Sequence, residues 1–559
     1  MTEPDTADLG IAQEGIHFFG ILPGSGSRPS SGSEAVSRQE VGSKAFNLMR
    51  MSDIGIPVPP GFVVGAQFCR KYLEERATKL PSSLVATIEK GLRVIEKSTG
   101  LTFGGFRRPL LVSVRSGAAI SMPGMMDTLL NIGLSDATVS SLVRMTGNPH
   151  FARDSYRRLI QSYAEVVYGA PARPFDEALA ELLRTDKLLR GVADLDSQEL
   201  LQLCRKYLEI FEESTSRAFP QDCVDQLTGA VEAVFRSWES PRAREYRRIH
   251  NITGVSGTAV TVQSMVFGNI GSSSGSGVGF TRNPVTGENS GIYLDFAFNA
   301  QGEDVVSGRN LMQDQADSRR RTKLEWVLPA VFEQVQNLGK QLELAFKDMQ
   351  DFEFTVQEGK LYVLQCRTGK RTPWAALRIA VDMVKEGVID RSVALQRLEG
   401  YDLASISHAR LAAPNSKPLA AGISANRGVA TGEIALDSDR AVERSRLGHP
   451  VILVRDDTAT ADIAGMVSAA GILTKAGGKT SHAAVVARQM DKVCIVGCNS
   501  LSIRPSERVC SFSDRSLREG EIISLDGDSG NVYEGRLDIV MERPAALVSE
   551  VRSWKSGLA

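Results

Sequence analysis

The sequence from residue 477 to residue 488 reads Gly477-Gly478-Lys479-Thr480-Ser481-His482-Ala483-Ala484-Val485-Val486-Ala487-Arg488. Its two glycines permit a tight turn, its hydroxyl residues suit the cap of a following helix, and its alanine-rich remainder favours that helix. His482 is therefore predicted at a helix N-terminus, where unpaired backbone N–H groups and the helix dipole favour negative charge. Such a position favours a neutral, nucleophilic imidazole and accommodates a phosphate group bound to it. Taken alone, the pattern is more often an ordinary capped helix with an incidental histidine.

Length and composition describe an ordinary globular protein. The chain has 559 residues, 42% of them hydrophobic and 23% charged, which is enough for roughly three or four domains. The net charge of −1 gives no indication of nucleic acid or an anionic membrane as a partner. Seven scattered cysteines predict reduced thiols, and neither a signal peptide nor a membrane-spanning run is visible. We therefore expect a cytoplasmic protein.

The order of helical and strand patterns predicts an α/β protein of several domains. Residues 1–38 are acidic and then rich in Gly and Ser, which predicts a flexible segment. A mixed α/β domain is expected over residues 39–400, with a helical insertion at about 135–235 and a mobile loop at the Ser-rich Gly271–Gly277. A linker at 401–419, a second α/β domain at 420–540 and a tail at 541–559 complete the predicted organisation.

Two separated segments carry cations suited to phosphate. Gly42-Ser43-Lys44 is a turn of small residues that presents a lysine at the start of a predicted helix. Arg115 follows the apolar strand pattern of residues 109–114 and precedes small residues, and its planar fork can donate two parallel hydrogen bonds to a phosphate. Each side chain, taken alone, is more often a solvated surface residue.

A third segment carries carboxylates suited to a metal ion. The alternation of a strand places Asp351 and Glu353 on one face, and a short hairpin then brings Gln365 and Arg367 alongside them. Carboxylate and amide oxygens suit Mg²⁺, which commonly takes one or two carboxylates and shares phosphate oxygens with a nucleotide. The alternative is an exposed hairpin face with solvated acids.

These segments together resemble the pyruvate, phosphate dikinase family of phosphoenolpyruvate-utilising enzymes. Further strings carry the resemblance, among them Phe235-Arg236-Ser237-Trp238, Thr281-Arg282-Asn283-Pro284 and Asn299-Ala300-Gln301-Gly302-Glu303-Asp304-Val305-Val306. The resemblance covers nearly the whole chain from Val41 to Gly535. It implies an ATP-grasp nucleotide-binding domain with a helical insertion, followed by a swivelling phosphohistidine domain.

The resemblance also implies a role for each candidate residue. His482 is the catalytic residue, and the implied ATP-binding residues are Lys44, Arg115, Asp351, Glu353, Gln365, Arg367, Gln301 and Glu303. Within that set, Asp351, Glu353 and Gln365 are the implied ligands of Mg²⁺, the cofactor that accompanies ATP. Thr480 matches a threonine that regulatory kinases phosphorylate in some relatives, with a helix cap as its alternative role.

The implied reaction starts with attack of His482 on the β-phosphorus of Mg-ATP and release of AMP. Inorganic phosphate then removes the terminal phosphoryl group as pyrophosphate, which leaves a phosphohistidine. In the family, a (β/α)₈ barrel of about 250 residues binds the acceptor, and residues 536–559 do not begin one. We therefore expect the phosphoryl group to pass to pyruvate on a separate barrel subunit, and this chain alone not to make phosphoenolpyruvate.

The expected partners are ATP, inorganic phosphate and that barrel subunit, and a homodimer is also considered. Lys479 stands where the family usually has methionine. It could supply a cation near the phosphorylated ring, face solvent, or contact an unusual acceptor. Two alternative functions stay open. The first is a phosphotransferase acting on another small-molecule acceptor, and the second is a non-catalytic, ATP-binding regulatory protein.

Overall fold

The computed structural model describes residues 15–20, 36–120, 122, 126, 128–183, 192, 195–249, 252, 254–255, 257–302, 305, 323–412, 417–459, 462–478 and 481–556. These residues contribute to two compact units. The first unit comprises residues 1–270 and Tyr362–Cys366, and the second comprises residues 271–361 and 367–559. Helices and sheets occur in both units, so the predicted α/β class is confirmed.

The first unit is built on a five-stranded sheet in the order β1-β2-β7-β5-β6. Its strands are β1 (Ile16–Phe19), β2 (Gly61–Val64), β3 (Thr102–Phe103), β4 (Pro109–Leu110), β5 (Val112–Gly117), β6 (Thr128–Ile132) and β7 (Ala259–Ser264), of which β3 and β4 form a separate pair. Its helices are α1 (Arg38–Asp53), α2 (Ala66–Glu74), α3 (Ser82–Thr99), α4 (Asp136–Thr146), α5 (Pro149–Tyr168), α6 (Arg173–Leu183), α7 (Ser197–Thr215), α8 (Cys223–Ser237) and α9 (Pro241–Ile249).

One face of this sheet carries the main hydrophobic core. Alternate residues of the strands, such as Val112, Val114 and Val262, are fully buried against the helices of the region 136–237. Helices α4, α5, α7 and α8 of this region begin at side-chain caps. On α7, Asp196 and Glu199 form a reciprocal capping box, which satisfies backbone N–H groups at its start. The sequence therefore fixes both the periodicity and the start of this helical region.

Part of the segment 1–38, which the sequence predicts to be flexible, forms a strand. Ile16–Phe19 form β1, which pairs with β2 in antiparallel register from Ile16↔Val64 to Phe19↔Gly61. Ile16 and Phe19 are buried, so their apolar surface stabilises a strand that the polar composition around it does not suggest.

The second unit begins with a four-stranded sheet in the order β11-β10-β8-β9. Its strands are β8 (Gly275–Phe280), β9 (Tyr293–Phe298), β10 (Gln350–Gln357) and β11 (Lys360–Thr368), and its helices are α10 (Lys323–Val327), α11 (Pro329–Phe346), α12 (Pro373–Lys385) and α13 (Arg391–Leu398). The stretch Tyr362–Cys366 of β11 belongs to the first unit.

The mobile loop predicted at Gly271–Gly277 is wrong from residue 275 onward, because β8 starts there and is buried along its whole length. The glycines of β8 make room for aromatic rings. A Cβ on Gly277 would lie 2.5 Å from the Phe354 ring, and one on Gly279 would lie 2.6 Å from the Phe352 ring. The glycine spacing that suggests flexibility is therefore a packing requirement of a strand.

Arg282, just after β8, is fully buried between two carboxylates. Its Nε and Nη2 donate to Glu343 at 2.9 and 2.8 Å, and its Nη1 donates to Glu386 at 3.1 Å. Burial opposes the positive charge, but the two carboxylates outweigh it and raise the pKa of Arg282. Glu343 lies on α11 and Glu386 follows α12, so this cluster ties both helices to the sheet.

The remainder of the second unit contains an eight-stranded sheet in the order β13-β23-β22-β15-β16-β17-β18-β14. The strands of this region are β12 (His408–Leu411), β13 (Ala420–Ala421), β14 (Ile423–Asn426), β15 (Val429–Ala435), β16 (Val451–Arg455), β17 (Gly471–Thr474), β18 (Val493–Val496), β19 (Leu501–Arg504), β20 (Val509–Phe512), β21 (Arg515–Arg518), β22 (Ile522–Asp526), β23 (Asn531–Glu534) and β24 (Ile539–Glu542). Its helices are α14 (Ser438–Arg446), α15 (Ile463–Ser468), α16 (His482–Gln489) and α17 (Ala545–Ser556). The strands β15 to β18 are parallel neighbours, and α16 connects β17 to β18.

The chain enters and leaves this sheet through a two-stranded ribbon. β12 pairs with β24 in antiparallel register, with His408 opposite Glu542. The ribbon is fastened to the sheet because Asp528 accepts from Arg427 and also lies 2.7 Å from the His408 ring. The predicted tail contains α17, whose Val551 and Trp554 pack into the core of α12 and α13.

The compact units divide the chain at residue 270, whereas the sequence predicts a boundary at 401–419. That predicted boundary stays a prediction. All seven cysteines are free thiols and are buried, as expected of reduced cysteines. Burial raises the pKa of the Cys69 thiol to about 12. In the part of the chain that the structure describes, we find no helix with the length and apolarity needed to cross a membrane.

The close approach of Gly42 to Gly117 in the first unit can be tested by substitution. Gly42 interrupts α1 with φ 77° and ψ 156°, a conformation that only glycine adopts readily, and a Cβ there would lie 2.2 Å from the Gly117 carbonyl oxygen. Gly55 also has a positive φ, of 80°, but a Cβ there meets nothing within 4 Å. Gly55→Ala is therefore a matched control for backbone strain.

We expect Gly42→Ala to lower the free energy of unfolding by at least about 3 kcal/mol, and Gly55→Ala by only about 1 kcal/mol. The difference is the steric clash with the Gly117 backbone. Calorimetric unfolding of both variants beside the wild type measures it. Equal losses in the two variants would contradict the close approach of Gly42 to Gly117.

Candidate active site

The first unit brings together the turn that carries Lys44 and the strand that carries Arg115. Gly42 lies against the backbone of Gly117. The backbone N–H of Ser43 donates to the Ala118 carbonyl at 3.0 Å, and its hydroxyl donates to the Ala119 carbonyl at 2.5 Å. Two segments more than 70 residues apart therefore form one corner, as a phosphate-binding site requires.

The two predicted phosphate-binding cations differ in burial. Lys44 is exposed, whereas Arg115 is half-buried on β5 between Thr128 of β6 and Thr261 of β7. The Nε of Arg115 is buried and has no hydrogen-bond partner among the residues that the structure describes. An unsatisfied buried N–H of a guanidinium is costly, and an anion is the partner that it suits best.

The helix of Lys44 also holds the segment of Gln365. Asn47, one turn after Lys44, donates from its side-chain amide to the Cys366 carbonyl at 2.8 Å. Val363 donates its backbone N–H to the Pro57 carbonyl at 2.8 Å. These bonds explain why Tyr362–Cys366 belongs to the first unit, and they place the Gln365 strand against α1.

The second unit brings together Asp351, Glu353 and Arg367. Asp351 is 3% exposed, and the Nε of Arg367 donates to its carboxylate at 2.9 Å. Burial raises the pKa of the Asp351 carboxyl, and the nearby guanidinium of Arg367 only partly offsets that effect. Glu353 is half-buried two residues further along β10, on the same face.

This donor set fits a nucleotide-bound magnesium ion better than a metal site made of protein ligands alone. The described residues contain no cluster of three or more acidic, His or Cys side chains that could hold a metal. Mg²⁺ shared with a nucleotide needs only one or two carboxylates, because phosphate oxygens and water complete its octahedron. Asp351 and Glu353 supply that number.

The candidate ATP-binding residues Gln301 and Glu303 follow β9. Gln301 is 6% exposed, and the preceding Ala300 carbonyl accepts from Ser276 of β8 at 2.9 Å. Glu303 lies outside the described residues, so its predicted role stays a prediction.

His482 is the first residue of α16. The N-cap is Ser481, whose hydroxyl accepts from the Ala484 backbone N–H at 3.5 Å. The preceding Gly477 has φ 103°, a value that favours glycine. The turn, cap and helix predicted around His482 are therefore all present. Lys479 and Thr480 lie outside the described residues, and the cap position considered for Thr480 belongs to Ser481.

Arg488 lies near the end of the same helix, and the sequence alone assigns no role to it. Its side chain is 1% exposed, its Nη1 donates to the Ala425 carbonyl at 3.2 Å, and its guanidinium carbon lies 5.3 Å from the Phe280 ring centroid. Phe280 is the cross-strand neighbour of Asp351. Burial lowers the pKa of Arg488, against the opposing influence of Cys494 and of Asp351. Arg488 thus links the histidine helix to the sheet of Asp351, and only a charged residue within an Ala/Val-rich helix hints at this.

Comparisons with known proteins match both parts of the chain. The family model described as "Pyruvate phosphate dikinase, AMP/ATP-binding domain" matches residues 38–80, 76–328 and 311–387. The one described as "PEP-utilising enzyme, mobile domain" matches residues 447–530, which include His482 and Arg488.

Curated relatives extend the similarity over nearly the whole chain. Pyruvate, phosphate dikinase of Clostridium symbiosum is 44% identical over 524 residues, which cover 93% of this chain and 59% of the relative. The enzyme of Rhizobium meliloti is 42% identical over 550 residues, with 96% and 60% covered. Pyruvate, phosphate dikinase 2 of Zea mays is 44% identical over 522 residues, with 93% and 58% covered.

The chain thus spans about three fifths of the length of these relatives. The matches include the strands of Arg115 and Asp351 and the helix of His482, whose geometry is described above. The chain belongs to the pyruvate, phosphate dikinase family.

Proposed function

We propose that this protein phosphorylates its own His482 with ATP and inorganic phosphate, which is the first half of the dikinase reaction. The observation that carries the proposal is the position of His482 at the first residue of a capped helix, within the match to the mobile domain. Unpaired N–H groups at such a helix start stabilise a phosphate on the residue there.

The proposed chemistry has two balanced steps. An imidazole nitrogen of His482 attacks the β-phosphorus of ATP, the bond from that phosphorus to the oxygen bridging to the α-phosphate breaks, and AMP leaves. An oxygen of inorganic phosphate then attacks the terminal phosphorus of the pyrophosphorylated histidine. The bond from that phosphorus to the bridging oxygen breaks, the bridging oxygen stays on the phosphohistidine, and the new pyrophosphate departs. His482 keeps one phosphoryl group, and the imidazole proton passes to solvent.

The side chains of the site position and neutralise the phosphates in this proposal. Lys44, Arg115 and Arg367 contact phosphate oxygens, and the catalytic contribution is mainly charge stabilisation and alignment. Glu353, Asp351 and Gln365 would hold the Mg²⁺ that accompanies ATP. When bound, that ion supplies positive charge to the phosphate chain.

The second half of the reaction needs an acceptor site. The relatives contain about two fifths of their length outside the match. We propose that the phosphoryl group passes from His482 to pyruvate on a separate barrel subunit.

The phosphohistidine prediction is tested by product analysis of the purified protein with radiolabelled Mg-ATP. We expect AMP, acid-labile label on the protein and, only when inorganic phosphate is added, pyrophosphate. His482→Ala should abolish all three, because no other group accepts the phosphoryl chain. His449→Ala is the control, since His449 is a surface residue of the same domain, paired with Glu433 at 2.8 Å. Label retained in His482→Ala would refute the assignment of the nucleophile.

The metal-binding prediction gives different expected effects for substitutions of Glu353 and of Asp351. We expect Glu353→Gln to lower AMP formation roughly hundredfold and to raise the Mg²⁺ concentration needed for half-maximal rate. Asp351→Asn should lower both the rate and the melting temperature, because it leaves Arg367 without its carboxylate. Initial rates over a Mg²⁺ series and calorimetry measure these effects. An unchanged Mg²⁺ requirement in Glu353→Gln would exclude Glu353 as a ligand.

A further inference from the structure

Thr261 lies directly beside Arg115 in the sheet of the first unit. The two residues are cross-strand partners of β7 and β5, so their side chains share a face and their Cβ atoms are neighbours. That face is opposite the one occupied by the core residues Val114, Val260 and Val262. Thr261 is only 2% exposed.

The hydroxyl of Thr261 has no hydrogen-bond partner within the described part of the chain, and neither does the Nε of the adjacent Arg115. A buried hydroxyl without a partner destabilises a protein relative to a methyl group of the same shape. Buried polar groups in native structures are nearly always paired, so an exception indicates an absent partner.

The neighbouring polar groups on these strands do have partners. Gln263 donates to the Pro59 carbonyl at 3.1 Å, and Thr258 accepts from the Gly117 backbone N–H at 3.1 Å. Among the described residues of β5 and β7, the buried side-chain atoms without a partner are the Nε of Arg115 and the hydroxyl of Thr261. The Thr261 hydroxyl is next to the corner formed by Gly42 and Gly117, because a Cβ on Gly117 would lie 3.9 Å from the Thr261 hydroxyl oxygen.

The chemistry of the two groups identifies what would satisfy them. The Arg115 Nε–H is a donor only, and the Thr261 hydroxyl can donate beside it. Two adjacent donors, one of them charged, are best satisfied by a negatively charged acceptor such as a phosphate oxygen. A neutral carbonyl would leave the charge of Arg115 uncompensated.

We propose that Thr261 is a further nucleotide-binding residue, whose hydroxyl donates to the phosphate oxygen held by Arg115. The inference rests on the proposed function, because it takes the bound phosphate to be that of ATP. Thr261 contributes to binding and alignment of the phosphate chain and does not take part in bond making.

The test uses Thr261→Val, which replaces the hydroxyl by a methyl group of similar size and keeps the β-branched shape suited to a strand. We expect the affinity for Mg-ATP to fall by about tenfold, as for the loss of a hydrogen bond to a charged group. The melting temperature without nucleotide should stay the same or rise, because an unpaired buried hydroxyl has been removed. Thr261→Ser should keep the affinity. The measurements are titration calorimetry with Mg-ATP on His482→Ala protein, which prevents turnover, and thermal unfolding.

Thr228→Val is the matched control, because it makes the same chemical change in the first unit at a hydroxyl that is paired with the Val224 carbonyl at 2.7 Å. Unchanged Mg-ATP affinity in Thr261→Val would overturn the inference and leave the proposed function standing. A lower melting temperature of nucleotide-free Thr261→Val would also overturn it, since the hydroxyl would then have a structural partner such as a buried water. Failure of the parent protein to bind Mg-ATP would overturn both.

Discussion

The close approach of Gly42 to Gly117 is the constraint on which the corner of Lys44 and Arg115 depends. With no side chain at Gly42, the turn of α1 reaches the end of β5 and Ser43 bonds to two carbonyl groups there. Lys44 and Arg115 are thereby set on one corner. Asn47 of the same helix donates a hydrogen bond to the strand of Gln365. One glycine contact therefore organises three segments that are far apart in sequence.

Charge is arranged differently in the two units. In the first unit, Arg115 retains an unsatisfied buried donor, so the fold bears a cost that an anionic ligand would remove. In the second unit, Asp351 is paired with Arg367, while Arg282 is paired with Glu343 and Glu386. The charged pairs of the second unit are complete without a ligand. In the first unit, the buried Nε of Arg115 lacks a partner that an anionic ligand could supply. This contrast supports phosphate binding at Arg115 more directly than the presence of an arginine does.

The sequence was sufficient where local rules decide the structure. The turn, cap and helix at His482 depend on residues within a few positions of one another, and so does the strand face of Asp351 and Glu353. The sequence was insufficient where contacts between residues far apart in the chain decide the structure. β1 exists because Ile16 and Phe19 find a buried surface, and β8 exists because the Phe352 and Phe354 rings fill the space above its glycines. The missing partner of Thr261 is likewise a property of its surroundings, and a single threonine in a strand pattern gives no sign of it.

The ribbon of β12 and β24 bears on how His482 could reach two sites in the proposed reaction. A single disordered linker would leave the histidine domain free to rotate in any direction. Here the entering and leaving strands are hydrogen-bonded to each other, and Asp528 fastens them to the sheet through His408 and Arg427. Two hydrogen-bonded connections restrain the orientation of a domain more than one flexible linker does. Such a connection reduces the orientations that must be searched, so a histidine phosphorylated at one site would be delivered along a restricted path to the next.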